Sequence, residues 1–192
     1  MGRIISYFFI SLDGVVESPD QWHFSYFDDE MGAVVGSGME QQSAFLLGRT
    51  LYDEWSEYWP AHGEEDFGKY LNNLKKYVVT HRPIEGEVWN NTTVISEDHV
   101  AAVQAAKDAE GGNIGMSGSA TTVRWLIANG LLDELSLLVH PIAVGKGQRL
   151  FEDTGIVPLR LESSSTLKSG VLHLRYTLDR APERAEEASG QG

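Results

Sequence analysis

Ile114-Gly115-Met116-Ser117-Gly118-Ser119-Ala120-Thr121 is the stretch from which the architecture follows. A short apolar strand runs without a spacer into small residues. From Ala120 to Asn129, Val123, Leu126 and Ile127 then recur at helical spacing, with Gly130 as the stop. A strand that turns into a helix through a glycine is the repeating unit of an α/β sheet. The same grammar stands upstream, where Ala44-Phe45-Leu46-Leu47 breaks at Gly48 and Arg49 to Trp55 takes helical spacing.

Reading outward from these two units fills in the order. Ile4 to Ile10 is a buried strand ended by Asp13-Gly14, followed by a loop through Pro19 and Trp22. Asp28-Asp29-Glu30 opens a helix, with acids where the helix dipole favours them. Phe67, Tyr70, Leu71 and Leu74 form another helical stripe, and Tyr77-Val78-Val79-Thr80 is a strand stopped by Arg82-Pro83. Thr93-Val94-Ile95 is a short strand, after which Ser96 is expected to cap a helix facing inward through Val100, Val103 and Ala106. Leu135 to Val139 is a last buried strand closed by His140-Pro141. Leu159 to Leu161 and Val171 to Tyr176 alternate around Ser169-Gly170 as a hairpin does. The expectation is an α/β fold over residues 1–180, with helices on both faces of a mostly parallel sheet and a C-terminal antiparallel hairpin. A polar, flexible tail is expected over 181–192.

Composition removes several function classes. The 192 residues contain 0 Cys, so disulfides, thiolate zinc, iron–sulfur clusters and cysteine nucleophiles are out. Fifteen basic against 28 acidic residues, net −13, argue against nucleic acid as a partner. No apolar run reaches membrane-spanning length and the start lacks a signal peptide, so a cytoplasmic protein without a membrane partner is expected. The six His are scattered without metal-ligand spacing, and no metal is expected. Neither G-x-G-x-x-G after the first strand nor a G-x-x-x-x-G-K-[ST] loop is present; Gly145-Lys146-Gly147 lacks the remaining positions.

In a parallel sheet, ligands sit beyond the carboxyl ends of the strands. That rule gathers Asp13-Gly14, Gly48-Arg49, Thr80-His81, Ser117-Gly118 and His140-Pro141 into one candidate cleft. Gly48-Arg49-Thr50 would turn backbone N–H groups, a guanidinium and a hydroxyl towards an anion. Ser117-Gly118-Ser119-Ala120-Thr121 repeats the arrangement, and His81-Arg82 adds a third basic point. Three such points suit a ligand with several phosphates. Trp22, His23, Phe24 and Tyr26 line either a substrate pocket or a hydrophobic lid.

Taken together, these segments resemble the dihydrofolate reductase superfamily, and more closely the reductase domain of the bifunctional riboflavin-biosynthesis deaminase/reductase. The resemblance rests on Ser11-Leu12-Asp13-Gly14, Leu47-Gly48-Arg49-Thr50-Leu51-Tyr52, Val78-Val79-Thr80-His81-Arg82 and Ser117-Gly118-Ser119-Ala120-Thr121. It continues through Gly130-Leu131-Leu132-Asp133-Glu134-Leu135 and Pro141 to Phe151. It implies a three-layer α-β-α fold and NADPH-dependent hydride transfer to a small pterin-like or ribosylaminopyrimidine-like substrate. By the same resemblance, Gly48, Arg49 and Thr50 hold cofactor phosphate, Thr80, His81 and Arg82 take the adenosine 2′-phosphate, and Ser117 to Thr121 cradle the pyrophosphate. Ser11, Asp13 and Gly14 lie by the nicotinamide and substrate. Asp13, or one of Asp28 to Glu30, is the candidate proton donor, and Trp22 and His140 are candidate substrate contacts. Where the superfamily often has Gly-Gly, this chain has Ser117-Gly118, and it has no cysteines for a zinc deaminase. Two alternatives stand beside this reading: an NADP-binding module without turnover, and dihydrofolate reductase proper. Apolar residues of the hairpin (Val171, Leu172, Leu174, Tyr176, Leu159, Leu161) suggest a homodimer.

Overall fold

A computed structural model describes residues 1–179; the tail expected over 181–192 lies outside the described residues. Eight strands form one sheet: β1 (Ile4–Ser11), β2 (Gln42–Gly48), β3 (Lys75–Val79), β4 (Thr92–Ile95), β5 (Asn113–Met116), β6 (Glu134–His140), β7 (Leu159–Thr166) and β8 (Leu172–Leu178). Their spatial order is β4-β3-β2-β5-β1-β6-β8-β7. The first six are mutually parallel, and β8 and β7 complete the sheet as an antiparallel hairpin. Five helices connect them: α1 (Asp29–Glu40), α2 (Arg49–Tyr58), α3 (Asp66–Asn73), α4 (His99–Ala109) and α5 (Ala120–Ala128).

Alternation along the strands explains the three layers. On β2, Leu46 joins the main core with Ile4, Phe8, Val103, Val123 and Leu126, under α4 and α5. Its neighbours Phe45 and Leu47 point the other way and pack with Tyr52, Leu71 and Val78 beneath α2 and α3. Further along that second face, α1 seats Met31 against Leu138, with Phe9 and Val34 beside them. Period-2 alternation with both faces apolar is what a strand between two helical layers requires.

Three details depart from the expected pattern. Ser96 is not the cap of α4: the helix starts at His99 behind Asp98, which has φ +45° and no side-chain capping bond. Val100 is exposed, while Val103 and Ala106 face the core as expected. The apolar strip on the hairpin is also smaller than its sequence suggests. Val171 is buried and Leu159 and Tyr176 pack on the main core, which leaves Leu161 and Leu172 exposed. The loop after β1 contains two short 3-10 turns, Pro19–Gln21 and Phe24–Tyr26. No helix among the described residues is long and apolar enough to cross a membrane.

Because Leu46 is fully buried on a strand with neighbours on both sides, Leu46→Ala should leave a cavity rather than a relaxed surface. The expected loss in urea unfolding is about 2–5 kcal/mol, the range for such truncations. A loss within experimental error would show that this face is not the core.

Candidate functional site

The parallel strands end at unequal heights, and the difference makes a notch. β5 stops at Met116, level with Ser6, while β1 continues to Ser11 alongside β6, where Ser11 pairs with His140. On its other side, Gly115 is level with Phe45, and β2 continues to Gly48. The gap above β5 is therefore walled by β1 and β2 and floored by Ser117-Gly118-Ser119. Gly118 has φ +134°, a conformation that favours glycine, and the Gly118–Ser119 peptide is cis.

Two helices begin at this floor. α2 starts directly after Gly48 and α5 directly after Ser119, and neither N-cap residue makes a side-chain capping bond. A Cβ on Gly48 would overlap the Thr122 hydroxyl and approach Ser119 Oγ at 3.8 Å. Glycine at 48 is thus what lets the two helix starts meet. Uncapped first-turn N–H groups at the positive ends of two helices are the kind of donors that can receive an anion.

The third expected element lies next to this one, in an arrangement that sequence alone does not reveal. Arg49 spends three N–H groups on the protein: Nε donates to Asp53 at 2.7 Å, and Nη1 to the Arg82 and Pro83 carbonyls at 2.9 and 2.7 Å. It therefore clamps the turn after β3. Thr80 is buried and closes that turn locally, with Oγ1 bonded to both the N–H and the carbonyl of Arg82. Arg82 is exposed, with its guanidinium 3.9 Å from Asp53, and the His81 ring lies 4.2 Å from that of His99. His99, not singled out in the sequence, also reaches the Thr80 carbonyl at 3.1 Å. The only available signal was its position at the start of a helix following a strand.

On the β1 side, Asp13 is a latch. Its carboxylate accepts from Ser11 Oγ at 2.6 Å and from the backbone N–H groups of Val144 and Gly145 at 3.0 and 2.8 Å. Arg149 Nε donates to the Asp13 carbonyl, and Gly14, at φ +86°, completes the turn. These bonds, led by the Ser11 hydroxyl, hold the Asp13 carboxyl down at about 2. These bonds also fix the carboxylate in position between the turn after β1 and residues 144–145. Ser11 is likewise committed, with its hydroxyl also accepting from the Val15 N–H. The neighbouring carboxylates have structural partners too: Asp28 caps α1 through the Met31 N–H, and Glu30 holds Lys168.

His140 is fully buried beside Ser11, and the rings of Phe9, Trp22, His23 and Tyr26 surround it at 5.3–6.0 Å. Trp22 and His140, expected as substrate contacts, thus touch each other.

A model of the RibD C-terminal domain matches residues 3–173. The chain belongs to the RibD C-terminal domain family. Among similar proteins is the uncharacterized YyaP of Bacillus subtilis (strain 168), 29% identical over 180 residues, which cover 91% of this chain and 94% of that one. A putative riboflavin biosynthesis protein from Shewanella sp. PV-4 superposes with a TM-score of 0.69 at 18% identity, covering 93% and 99% of the two chains. Dihydrofolate reductase from Enterococcus faecalis, solved with NADP(H), superposes at 0.58 with 15% identity, covering 93% and 97%. This RibD-type domain therefore has the dihydrofolate reductase-like fold that its sequence suggests.

The Asp13 latch gives a pH prediction with a definite sign. A carboxyl lowered from an ordinary 3.8 to about 2 on folding stabilises the native state above 3.8 and loses that contribution as pH falls through about 2. Wild type should lose melting temperature between those values. Asp13→Asn should start lower at neutral pH and show a shallower acid limb, and identical limbs would mean the latch is not formed.

Proposed function

We propose that this protein is an NADPH-dependent reductase that passes a hydride to a small, flat substrate held beside β1 and β6. The observation that carries the reading is the meeting of two uncapped helix starts at the Gly48–Thr122 contact, on the floor of the strand-end notch. A dinucleotide offers what such a place needs, since its pyrophosphate can accept from both helices at once. Family membership and the likeness to a dihydrofolate reductase holding NADP(H) support the same cofactor.

In this reading Thr50, Ser119, Ala120 and Thr121 surround the pyrophosphate, and Gly118 lets the backbone come close. Arg82 and His81 face the 2′-phosphate, while Arg49 and Thr80 hold their turn in place. NADPH supplies the hydride; the chain aligns cofactor and substrate and keeps water from the transfer. Asp13 acts by fixing Val144 and Gly145 at the rim, with Gly14 and Ser11 forming the turn beneath. Of the three acids at the start of α1, Asp28 and Glu30 are engaged by the protein, and the exposed Asp29 is the one left as a candidate donor to a pterin. The family points to a substrate of riboflavin biosynthesis-like, ribosylaminopyrimidine type. A cytoplasmic homodimer completes the proposal, with the exposed edge of β7 as the contact; light scattering should then report twice the chain mass, and a stable monomer would remove the interface.

Calorimetry with NADPH and NADH tests the cofactor, and NADPH oxidation with aminopyrimidine and pterin substrates tests turnover. Failure to bind either dinucleotide would overturn the reading. Two variants sharpen it. Gly48→Ala should drive the helix starts apart and weaken NADPH by at least about tenfold, on the order of the cost of overpacking a tight contact. Adding Thr122→Ala should restore most of that loss, since the obstructing hydroxyl is gone. Asp53→Asn removes a carboxylate from between Arg49 and Arg82. It should tighten NADPH by roughly two- to fivefold at low salt, fading as salt screens the site, and leave NADH unchanged.

A further inference from the structure

His140 and His23 carry buried ring nitrogens with no hydrogen-bond partner, His140 at Nε2 and His23 at Nδ1. For His140 the tautomer follows from its other side. Nδ1 stands 2.8 Å from the Leu138 carbonyl, so it holds the proton and donates. Nε2 is then a lone-pair acceptor, sealed from water with nothing to accept from. Burial lowers the proton affinity of both rings. An unmatched acceptor in a fully buried side chain is uncommon in folded proteins.

What seals the acceptor is a stack of rings, not a packed helix. The His23 ring lies on Phe9 at 4.3 Å and under Phe24 at 4.2 Å, and Trp22 meets His140 edge-on at 5.3 Å. Phe9 belongs to β1, but Trp22, His23 and Phe24 come from residues 18–27, whose only regular structure is two three-residue turns. The segment enters at Ser18 with φ +44°, and Trp22 Nε1 ties back to the Glu17 carbonyl at 3.2 Å. Phe24 and Phe27 of this segment, and Leu12 in the loop before it, expose apolar side chains, at 65%, 46% and 72%. Flat apolar walls around one orphaned acceptor describe a place for a flat ring that carries a donor.

We propose that Trp22 and His23 fill the place of a heteroaromatic ligand, and that His140 Nε2 accepts from a ring N–H of that ligand once they move aside. The inference rests on reading the β1–β6 side of the notch as the substrate side, and it assigns the atom that selects the substrate. A ring whose nitrogens are alkylated offers no donor and leaves the acceptor unmet, so it is rejected.

The test uses the whole protein and a matched pair of probes, lumazine and 1,3-dimethyllumazine, in calorimetry without turnover. Wild type should bind lumazine roughly tenfold or more tighter, as one hydrogen bond to a buried acceptor provides. In His140→Phe, which keeps a buried ring without the acceptor, the two affinities should come within about twofold of each other. His140→Gln, which returns an acceptor, should regain the discrimination, and this second variant serves if the first does not fold. Lumazine should also change tryptophan fluorescence in wild type but not in Trp22→Phe. Equal affinity of wild type for the two probes, no binding of either, or discrimination that survives in His140→Phe would overturn the proposal. NADPH titrated separately into the same protein keeps the two readings apart: cofactor binding without lumazine binding refutes this assignment alone, and the reverse refutes the reductase reading alone.

Discussion

The hydroxyl of Thr122 occupies the space in which any residue larger than glycine at 48 would place its Cβ. Through that contact the end of β2 and the start of α5 are drawn together, and α2 and α5 begin side by side. Neither helix is capped by a side chain, so the first-turn N–H groups of both remain to serve something else. Backbone donors of this kind are fixed by the fold and need no reorganisation when an anion arrives. A chain with net charge −13 can thus offer a local anion site without a basic surface.

Charged side chains around the notch mostly act on the protein itself. Arg49 holds the carbonyls of Arg82 and Pro83, and Asp13 holds the amides of Val144 and Gly145. Each fixes a loop at the strand ends beside the notch, which is how a site made from strand-end turns becomes precise. Elsewhere the same device anchors the far end of the sheet. Glu134, buried on β6, pairs with both Arg3 and Arg175, and Glu110 receives Ser43, Lys75 and Tyr77. In these pairs the carboxylate is buried and the cation half exposed, so removing the basic partners is the damaging direction, because it leaves a buried charge unmet.

The sheet was legible because its signals are local. Strands that are apolar on both faces, broken by glycine and followed by helical spacing, specify parallel order with little help from distant residues. The turns at Gly48 and Ser117–Thr121 were legible for the same reason, and so was the family resemblance that they carry. The uses of side chains were not. Asp13 looks like an acid at a strand end, and only the approach of residues 144–145, far away in sequence, turns it into a latch. That Arg49 also holds the turn after β3 likewise depends on residues far away in sequence. Ser96 carries the preferred capping side chain, yet α4 starts beyond it at His99, because Asp98 takes a left-handed conformation first. Trp22, His23, Phe24 and Tyr26 read equally as pocket or lid, and the packing of Trp22, His23 and Tyr26 on His140 is a tertiary fact with no periodic signature.

A crystal structure of the protein with NADPH tests the central claim most directly. The pyrophosphate should lie between the starts of α2 and α5, within hydrogen-bonding distance of backbone N–H groups from both, with the nicotinamide directed towards the β1–β6 side. A cofactor bound with its phosphates elsewhere, or held only by arginine side chains away from the Gly48–Thr122 contact, would contradict it.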